Sequence, residues 1–387
     1  MPTNALRTLS TLFMVVVLSL ALTSCGSNAN VICSPPPSGS NNSGICTCAS
    51  ETGACPITPG PEFLYGVGSS GIQAFSIDHN SGALTALPSA SGPSMSFGLT
   101  SVNNQFLYVS DSQNAQLDGF SINQTTGALT PLASSPFSTG TFSAPVGLVS
   151  PAGSERLYIA DVARVDAFTV DANGLPTALS TSPYLSGTNL FLTIDPSGQF
   201  LYTSIDDPPG GIFAFTINST GALTAVPGSP FTIPGQTVAN SRPYGIVDTG
   251  TYVYATLSGT NQVGAFSIVS ATGALVPVPG SPFSAGATPL TLVLAGSFLY
   301  ALNDGGVSGY SINSSTGVLT PLSDPPFAII GGSMTTDFLG QHLYVPGLNG
   351  VQAFSIDATS GNLTPIAGSP FPGGAASALT VVQIPPP

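Results

Sequence analysis

The side chains with which this chain could do chemistry are few. Its 387 residues include 4 Lys or Arg, 17 Asp or Glu and 2 His, so charged residues make up 5% against roughly 25% in an ordinary soluble domain. The cations are Arg7, Arg156, Arg164 and Arg242, with no lysine. So small a positive complement cannot neutralise a phosphate backbone, which excludes nucleic acid as a partner. Opening a cyclic ester needs a base or polarised water and a donor for the developing oxyanion. Asp161, Arg164, Asp206 and Arg242 are the candidates for such work. Holding Ca²⁺ needs several carboxylate and carbonyl oxygens, for which Asp111, Asp161 and Asp304 are candidates, with Asp207 and Asn303 beside them. The competing explanation is that Asp at a recurring loop position caps its own backbone and forms a turn. No Gly-x-Ser-x-Gly elbow, phosphate loop, His-Glu-x-x-His pair or dinucleotide fingerprint occurs.

The elements that must position these residues are repeats with a period of about 46 residues. A triplet ending in Tyr recurs seven times, closing on Tyr65, Tyr108, Tyr158, Tyr202, Tyr254, Tyr300 and Tyr344. Each is followed by an alternating segment such as Ala74-Phe75-Ser76-Ile77 or Ala353-Phe354-Ser355-Ile356, which reads as a second strand with aromatic and aliphatic on one face. A turn such as Asp357-Ala358-Thr359-Ser360-Gly361 then leads to a Gly-Ala-Leu-Thr strand. Most copies finish in Ser-Pro-Phe, where proline is expected to end the ladder by removing a donor. A further strand precedes each triplet except the first, and its missing copy stands at the far end as Ala378–Ile384. Four strands, seven times, with one displaced strand, predict an all-β, seven-bladed propeller over 62–387 whose ring is closed by the C-terminal strand completing the first blade. Hydrophobic content of 42%, Gly 45 and Pro 36 agree with a β-rich, turn-rich chain. Because blades pack both faces against neighbours, charge is expected only in loops.

The loops between the second and third strands, and those entering each inner strand, should share one rim. The first class holds Asp111, Asp161, Asp206, Asp207, Asn303 and Asp304; the second holds Arg242. His79 falls in a hairpin turn on the opposite rim, and His342 takes the place of Phe63, Phe106, Phe200 and Phe298 in the repeat, so both histidines read as structural.

The repeats resemble the lactonase-type seven-bladed propellers, the YVTN-repeat family that includes bacterial 6-phosphogluconolactonase. The likeness spans 63–384 and rests on Phe-Leu-Tyr-Val, Ala-Phe-Ser-Ile-Asp, Thr-Gly-Ala-Leu-Thr-Pro and Asp195-Pro196-Ser197-Gly198. It implies the fold; chemistry must be argued from the site. Such propellers often carry Pro-His as the inner strand begins, whereas this chain has Pro145-Val146 and Pro243-Tyr244 there. A phosphorylated substrate would also need more cations than the three arginines beyond Arg7.

Residues 1–24 combine Arg7 with an apolar run from Leu12 to Leu22, too short to span a bilayer, and read as a signal peptide. Leu22-Thr23-Ser24-Cys25-Gly26 resembles the lipobox of bacterial lipoproteins, which implies acylation of Cys25 and, with Gly rather than Asp after it, transport to the outer membrane. Residues 25–61 form a Ser-, Pro- and Cys-rich tether. Its Cys33, Cys46, Cys48 and Cys55 are expected to form two disulfides in an oxidising compartment. Joining Cys46 to Cys48 is sterically awkward, which leaves two pairings open; a four-thiolate zinc site is the alternative. The chain thus reads as an envelope-anchored binding or scaffolding module for a protein or carbohydrate ligand at the propeller rim. The alternative is a hydrolase of an uncharged or sugar-derived lactone.

Overall fold

Strands alternating apolar and small residues cannot bury themselves singly, and the repeats answer by pairing within blades and packing blade on blade. The computed structural model describes the backbone of residues 30–33 and 46–49, and residues 60–385 apart from 69–70, 94, 139–143, 162–163, 186–188, 207–209, 234, 237–240, 324–331, 348 and 374–375. Signal-peptide residues, Cys25 and Cys55 lie outside the described residues, as do the side chains of Cys33, Cys46 and Cys48. By itself, the N-terminal unit pairs Asn30–Cys33 antiparallel with Cys46–Ala49, and the backbone register sets Cys33 opposite Cys46.

In the larger unit, seven antiparallel sheets each run from an inner strand outward. Blade 3 is typical: Pro145–Val149, Arg156–Asp161, Arg164–Val170, Pro176–Ala178. Ala376–Gln383 supplies the inner strand of blade 1 by pairing with Glu62–Gly68, so the ring closes through the C-terminal strand as the missing copy predicted.

The recurring tyrosine has a role that its strand position did not disclose. Tyr65, Tyr108, Tyr158, Tyr202, Tyr254, Tyr300 and Tyr344 donate their hydroxyls to Gly127, Gly174, Gly221, Gly273, Gly317, Gly361 and Gly82 carbonyls, over 2.6–3.2 Å. Each acceptor lies in the outer turn of the following blade, so every interface carries one buried latch. The residue two places before each tyrosine covers the same glycine. At Gly127, with φ +67°, a Cβ would come within 2.4 Å of the Phe63 ring, so both backbone and packing require glycine.

The Ser-Pro-Phe segments differ from expectation. The outer strand ends before that proline is reached, at Ala225 ahead of Pro230 and at Pro365 ahead of Pro370, and the chain then turns back onto the third strand: Phe137, Phe231 and Phe371 pair with Leu117, Ile212 and Val351. The serine hydroxyl accepts a third-strand N–H, as from Ala353 to Ser369 at 3.0 Å. Charge is also not confined to loops. Glu62, Asp166 and Asp248 lie in strands and are buried, because each finds a donor there: Phe338 N–H, Arg164 and Gly250 N–H respectively.

Candidate functional site at the upper rim and channel

The second-to-third-strand hairpins place the sequence candidates on one rim. In blade 3, Asp161 ends one strand and Arg164 begins the next, paired in register. Arg164 Nη2 donates to Asp161 Oδ2 at 2.8 Å and its Nε to Asp166 Oδ2 at 3.0 Å. Asp161 Oδ1 accepts the Ala144 N–H at 2.6 Å, and the residue is fully buried. Burial pushes the Asp166 carboxyl above the usual range, while Arg164 pulls it back. This is a closed ion triad: one cation between two carboxylates, at the depth where a lone charge would be most costly.

The second pair spans blades 4 and 5. Arg242 Nε and Nη2 reach Asp206 Oδ1 and Oδ2, both at 3.2 Å, with the guanidinium largely exposed. Arg242 holds φ +44°, a conformation disfavoured for non-glycine residues, and its carbonyl accepts both Ser258 N–H and Ser258 Oγ–H. Two residues on, the Tyr244 ring meets Phe191 of blade 4 at a centroid distance of 5.0 Å. Burial, then Asp206, pushes the Tyr244 phenol upward. An aromatic pair beside a bidentate ion pair makes a rim patch with both stacking and hydrogen-bonding capacity.

The remaining candidates stand apart from these pairs, and Asp111 caps its own turn. Asp111 accepts Asn114 N–H at 3.0 Å and Asn114 Nδ2–H at 2.7 Å. Asp304 is exposed in the blade 6 hairpin, and its N–H donates to Ala287 O at 2.8 Å. Asn303 gives Nδ2 to Ala301 O and Ser308 Oγ. Asp207 lies outside the described residues. Among the described residues no three His, Cys, Asp or Glu side chains form a group that could hold a metal ion, so Asp111, Asp161 and Asp304 make no shared Ca²⁺ site.

Both histidines sit on the opposite rim. His342 Nδ1 lies 2.7 Å from Asp337 Oδ2, and His79 Nδ1 lies 3.1 Å from Glu62 Oε2. Three perturbed carboxyls escaped the sequence reasoning, among them Asp248, which burial pushes up to about 7. Burial, reinforced by Asp111, pushes the half-buried Asp118 up to about 6. Burial pushes Glu62 up to about 8 despite its hydrogen bond from Phe338. None of the three sits in a motif; the signal was an acid within an apolar strand.

Along the axis the inner strands line an open cavity of 170 Å³, and the described residues of its wall, including Leu99, Leu148, Phe191, Ile246 and Leu379, carry no charge. Thr291 and Ser333, on blade 6 and the approach to blade 7, are among its lining residues, with their hydroxyl oxygens buried.

Sequence comparison gives no match to a family model or to a curated protein. The fold does match. A Bacteroides fragilis protein provisionally described as a 6-phosphogluconolactonase superposes with TM-score 0.72 at 19% identity, over 86% of this chain and 100% of that one. A Bacteroides uniformis protein of the same description gives 0.71 at 17%, over 84% and 100%. The periplasmic gluconolactonase of Pseudomonas aeruginosa gives 0.66 at 18%, over 84% and 99%. The chain therefore has the seven-bladed propeller fold of the lactonase-like structures.

Proposed function

We propose that this chain is a lipid-anchored, extracytoplasmic propeller that binds a carbohydrate or protein ligand at the upper rim, around Arg242, Asp206, Tyr244 and Phe191, without turning it over. One observation carries this: the four charged residues best placed for hydrolysis form two closed pairs, Arg164 with Asp161 and Arg242 with Asp206. A carboxylate whose lone pairs are already taken by a guanidinium is a poor base, and a guanidinium already bound is a poor oxyanion donor. Stacking rings and a rim ion pair remain useful for recognition.

The anchor fits this reading. Gly60, where the described chain enters the propeller, has its carbonyl 3.1 Å from His79 Nε2, on the rim opposite Arg242. A tether over 25–61, acylated at Cys25, would join the propeller on that rim. Palmitate labelling that is lost in Cys25→Ala is the expected result; labelling of that variant would remove the anchor.

A second reading, hydrolysis of an uncharged or sugar-derived lactone, draws on the fold shared with the Pseudomonas gluconolactonase and on Asp118, whose raised carboxyl could hold or release a proton near neutrality. A glycan array and a lactone panel run on the same protein separate the two. Binding that falls in Tyr244→Ala, with no turnover above background, is expected. Turnover that disappears in Asp118→Asn or Arg242→Gln would overturn the binding reading.

A further inference from the structure

One buried carboxyl has no task in the fold. Asp248 ends the inner strand of blade 5, Pro243–Asp248, and is 6% exposed. Its Oδ1 accepts the Gly250 N–H, whereas its Oδ2 is buried with no hydrogen-bond partner among the described residues. The repeat does not ask for an acid there. Asp248 stands opposite Val253, and the residues at that register in other blades include Val381, Ser101, Ile194, Leu294 and Thr336, none of them an acid. Nor does Asp248 cap the whole turn that follows. Asp195 and Asp337 do so in blades 4 and 7, accepting the Phe200 and His342 N–H groups, but in blade 5 the Thr249 hydroxyl accepts the Tyr252 N–H at 2.8 Å instead.

The titratable groups that face Asp248 are Asp195, on the neighbouring turn of blade 4, and Tyr202, on that blade's second strand. Neither can offer it a positive charge, and Asp195 is itself held by the Ser197, Gln199 and Phe200 N–H groups. Loss of the Asp248 proton therefore leaves a carboxylate between two blades with one donor and a like charge nearby, which burial makes costly unless water enters. Burial lifts the carboxyl to about 7, against the Gly250 N–H and with the help of the Asp195 charge. The seam between blades 4 and 5 has room to yield. Its tyrosine latch, Tyr202 to Gly273, is the longest of the seven at 3.2 Å. Toward the upper rim a cleft of 20 Å³ separates Ile212 and Phe231 of blade 4 from Ala255 and Leu257 of blade 5, space for about one water.

We propose that Asp248 is a proton-operated wedge in the seam between blades 4 and 5: the protonated carboxyl lets the two blades close, and its ionisation admits water and loosens them. The Arg242–Asp206 and Tyr244–Phe191 pairs span the same seam, and Tyr244 lies on the strand that Asp248 ends, so the rim patch and the wedge share one support. An ordinary aspartate releases its proton near 3.8, whereas the folded protein keeps this one up to about 7. The stabilisation of the closed seam is therefore complete only below the lower value and is lost as pH rises through the upper one.

Hydrogen–deuterium exchange on the purified protein, read by mass spectrometry and corrected for the intrinsic pH dependence of exchange, tests the wedge. Between about pH 6 and about pH 8.5 the amides of Phe200–Ile205, Pro243–Asp248 and Tyr252–Leu257 should lose about tenfold in protection. Those of Phe298–Asn303 in blade 6 should not change. Asp248→Asn keeps the shape of the side chain and cannot ionise; Asp248→Leu supplies the residue that blade 6 carries at this register. Each variant should abolish the pH dependence. Equal corrected protection at the two pH values in wild type, the same loss in either variant, or an equal loss in blade 6 would each overturn the wedge. Exchange is read without ligand, so a failed glycan or lactone assay strikes the rim reading alone.

Discussion

Five of the seven blade interfaces cover the next blade's turn glycine with an aromatic ring, a sixth with the Arg156 chain, and the seventh, where the ring closes, with His342 among other ionisable groups. At the six, a ring or chain from Phe63, Phe106, Arg156, Phe200, Tyr252 or Phe298 covers the next blade's turn glycine, and only Arg156 among these carries charge. At the closure the covering residue is His342, pinned by Asp337, with Glu62 and His79 alongside. The tyrosine latch is the same in all seven, Tyr344 to Gly82 included. The geometry of the interface therefore belongs to the repeat, while its response to solvent conditions is set locally. Six interfaces join blades contiguous in sequence; the seventh joins residues some 260 positions apart, as in the Tyr344–Gly82 separation of 262. It is the one interface whose formation requires closing the whole chain.

The largest effect should come from removing that closure. A chain ending at residue 373 lacks Ala376–Gln383, so Glu62–Gly68 loses its inner partner and Ala378, Leu379, Val382 and Ile384 leave the core. An open ring exposes a strand edge and an interface at once. The expected outcome is loss of the cooperative thermal transition by circular dichroism, with aggregation. A sharp transition within a few degrees of wild type would show that closure contributes little.

Next come the turn glycines, compared across the two kinds of interface. Gly127→Ala puts a Cβ into a left-handed residue and against Phe63, costing about 2 kcal/mol. Gly82→Ala should cost more. Its Cβ would meet His342 at 2.4 Å and Ile366 at 2.6 Å, and the imidazole cannot swing aside without breaking its 2.7 Å contact with Asp337. Chemical denaturation of both variants checks the order; equal losses would mean that the histidine gives way as easily as phenylalanine.

Smaller again is the latch. Tyr108→Phe and Tyr344→Phe each remove one buried hydroxyl and leave a glycine carbonyl unpaired, for a loss of about 1–3 kcal/mol apiece. Because the latch is common to both interfaces, the two losses should agree within about 0.5 kcal/mol. A much larger loss at Tyr344 would assign the closure a strain that the repeat geometry does not predict.

These interfaces also show where the sequence was legible. The repeat displayed strands, turns and the displaced closing strand because each is encoded within a few residues. The tyrosines were visible as markers, yet their hydroxyl acceptors lie 61 or more residues away in the next blade, beyond any local pattern. Asp161 and Arg164 could be suspected as a pair from three-residue spacing, whereas Arg242 and Asp206, 36 apart, were brought together only by blade-to-blade packing. Glu62 was hidden because it stands at the border between tether and strand, where an acid looks solvent-exposed.

The smallest expected effect is read at the closure, although its Glu62 is not the only buried acid: Asp248 of blade 5, beside Asp195 of blade 4, is also pushed by burial up to about 7. Burial raises the Glu62 carboxyl to about 8 in the folded protein, against an ordinary value of 4.5. The folded state therefore keeps a proton that the unfolded state gives up between those values. Stability from this group is fully present below about 4.5 and is lost as pH rises through about 8. The Phe338 N–H moderates the loss by favouring the ionised carboxylate, while the neighbouring Asp337 charge adds to it. Melting temperatures measured between about pH 5 and 9 should fall for wild type relative to Glu62→Gln, whose amide cannot ionise. The same comparison made with Arg156→Gln, at an interface lacking a buried acid, should show no such divergence. Parallel pH profiles for wild type and Glu62→Gln would mean that the closing interface hydrates its carboxylate as readily as an exposed one, and the contrast between the seventh interface and the other six would reduce to packing.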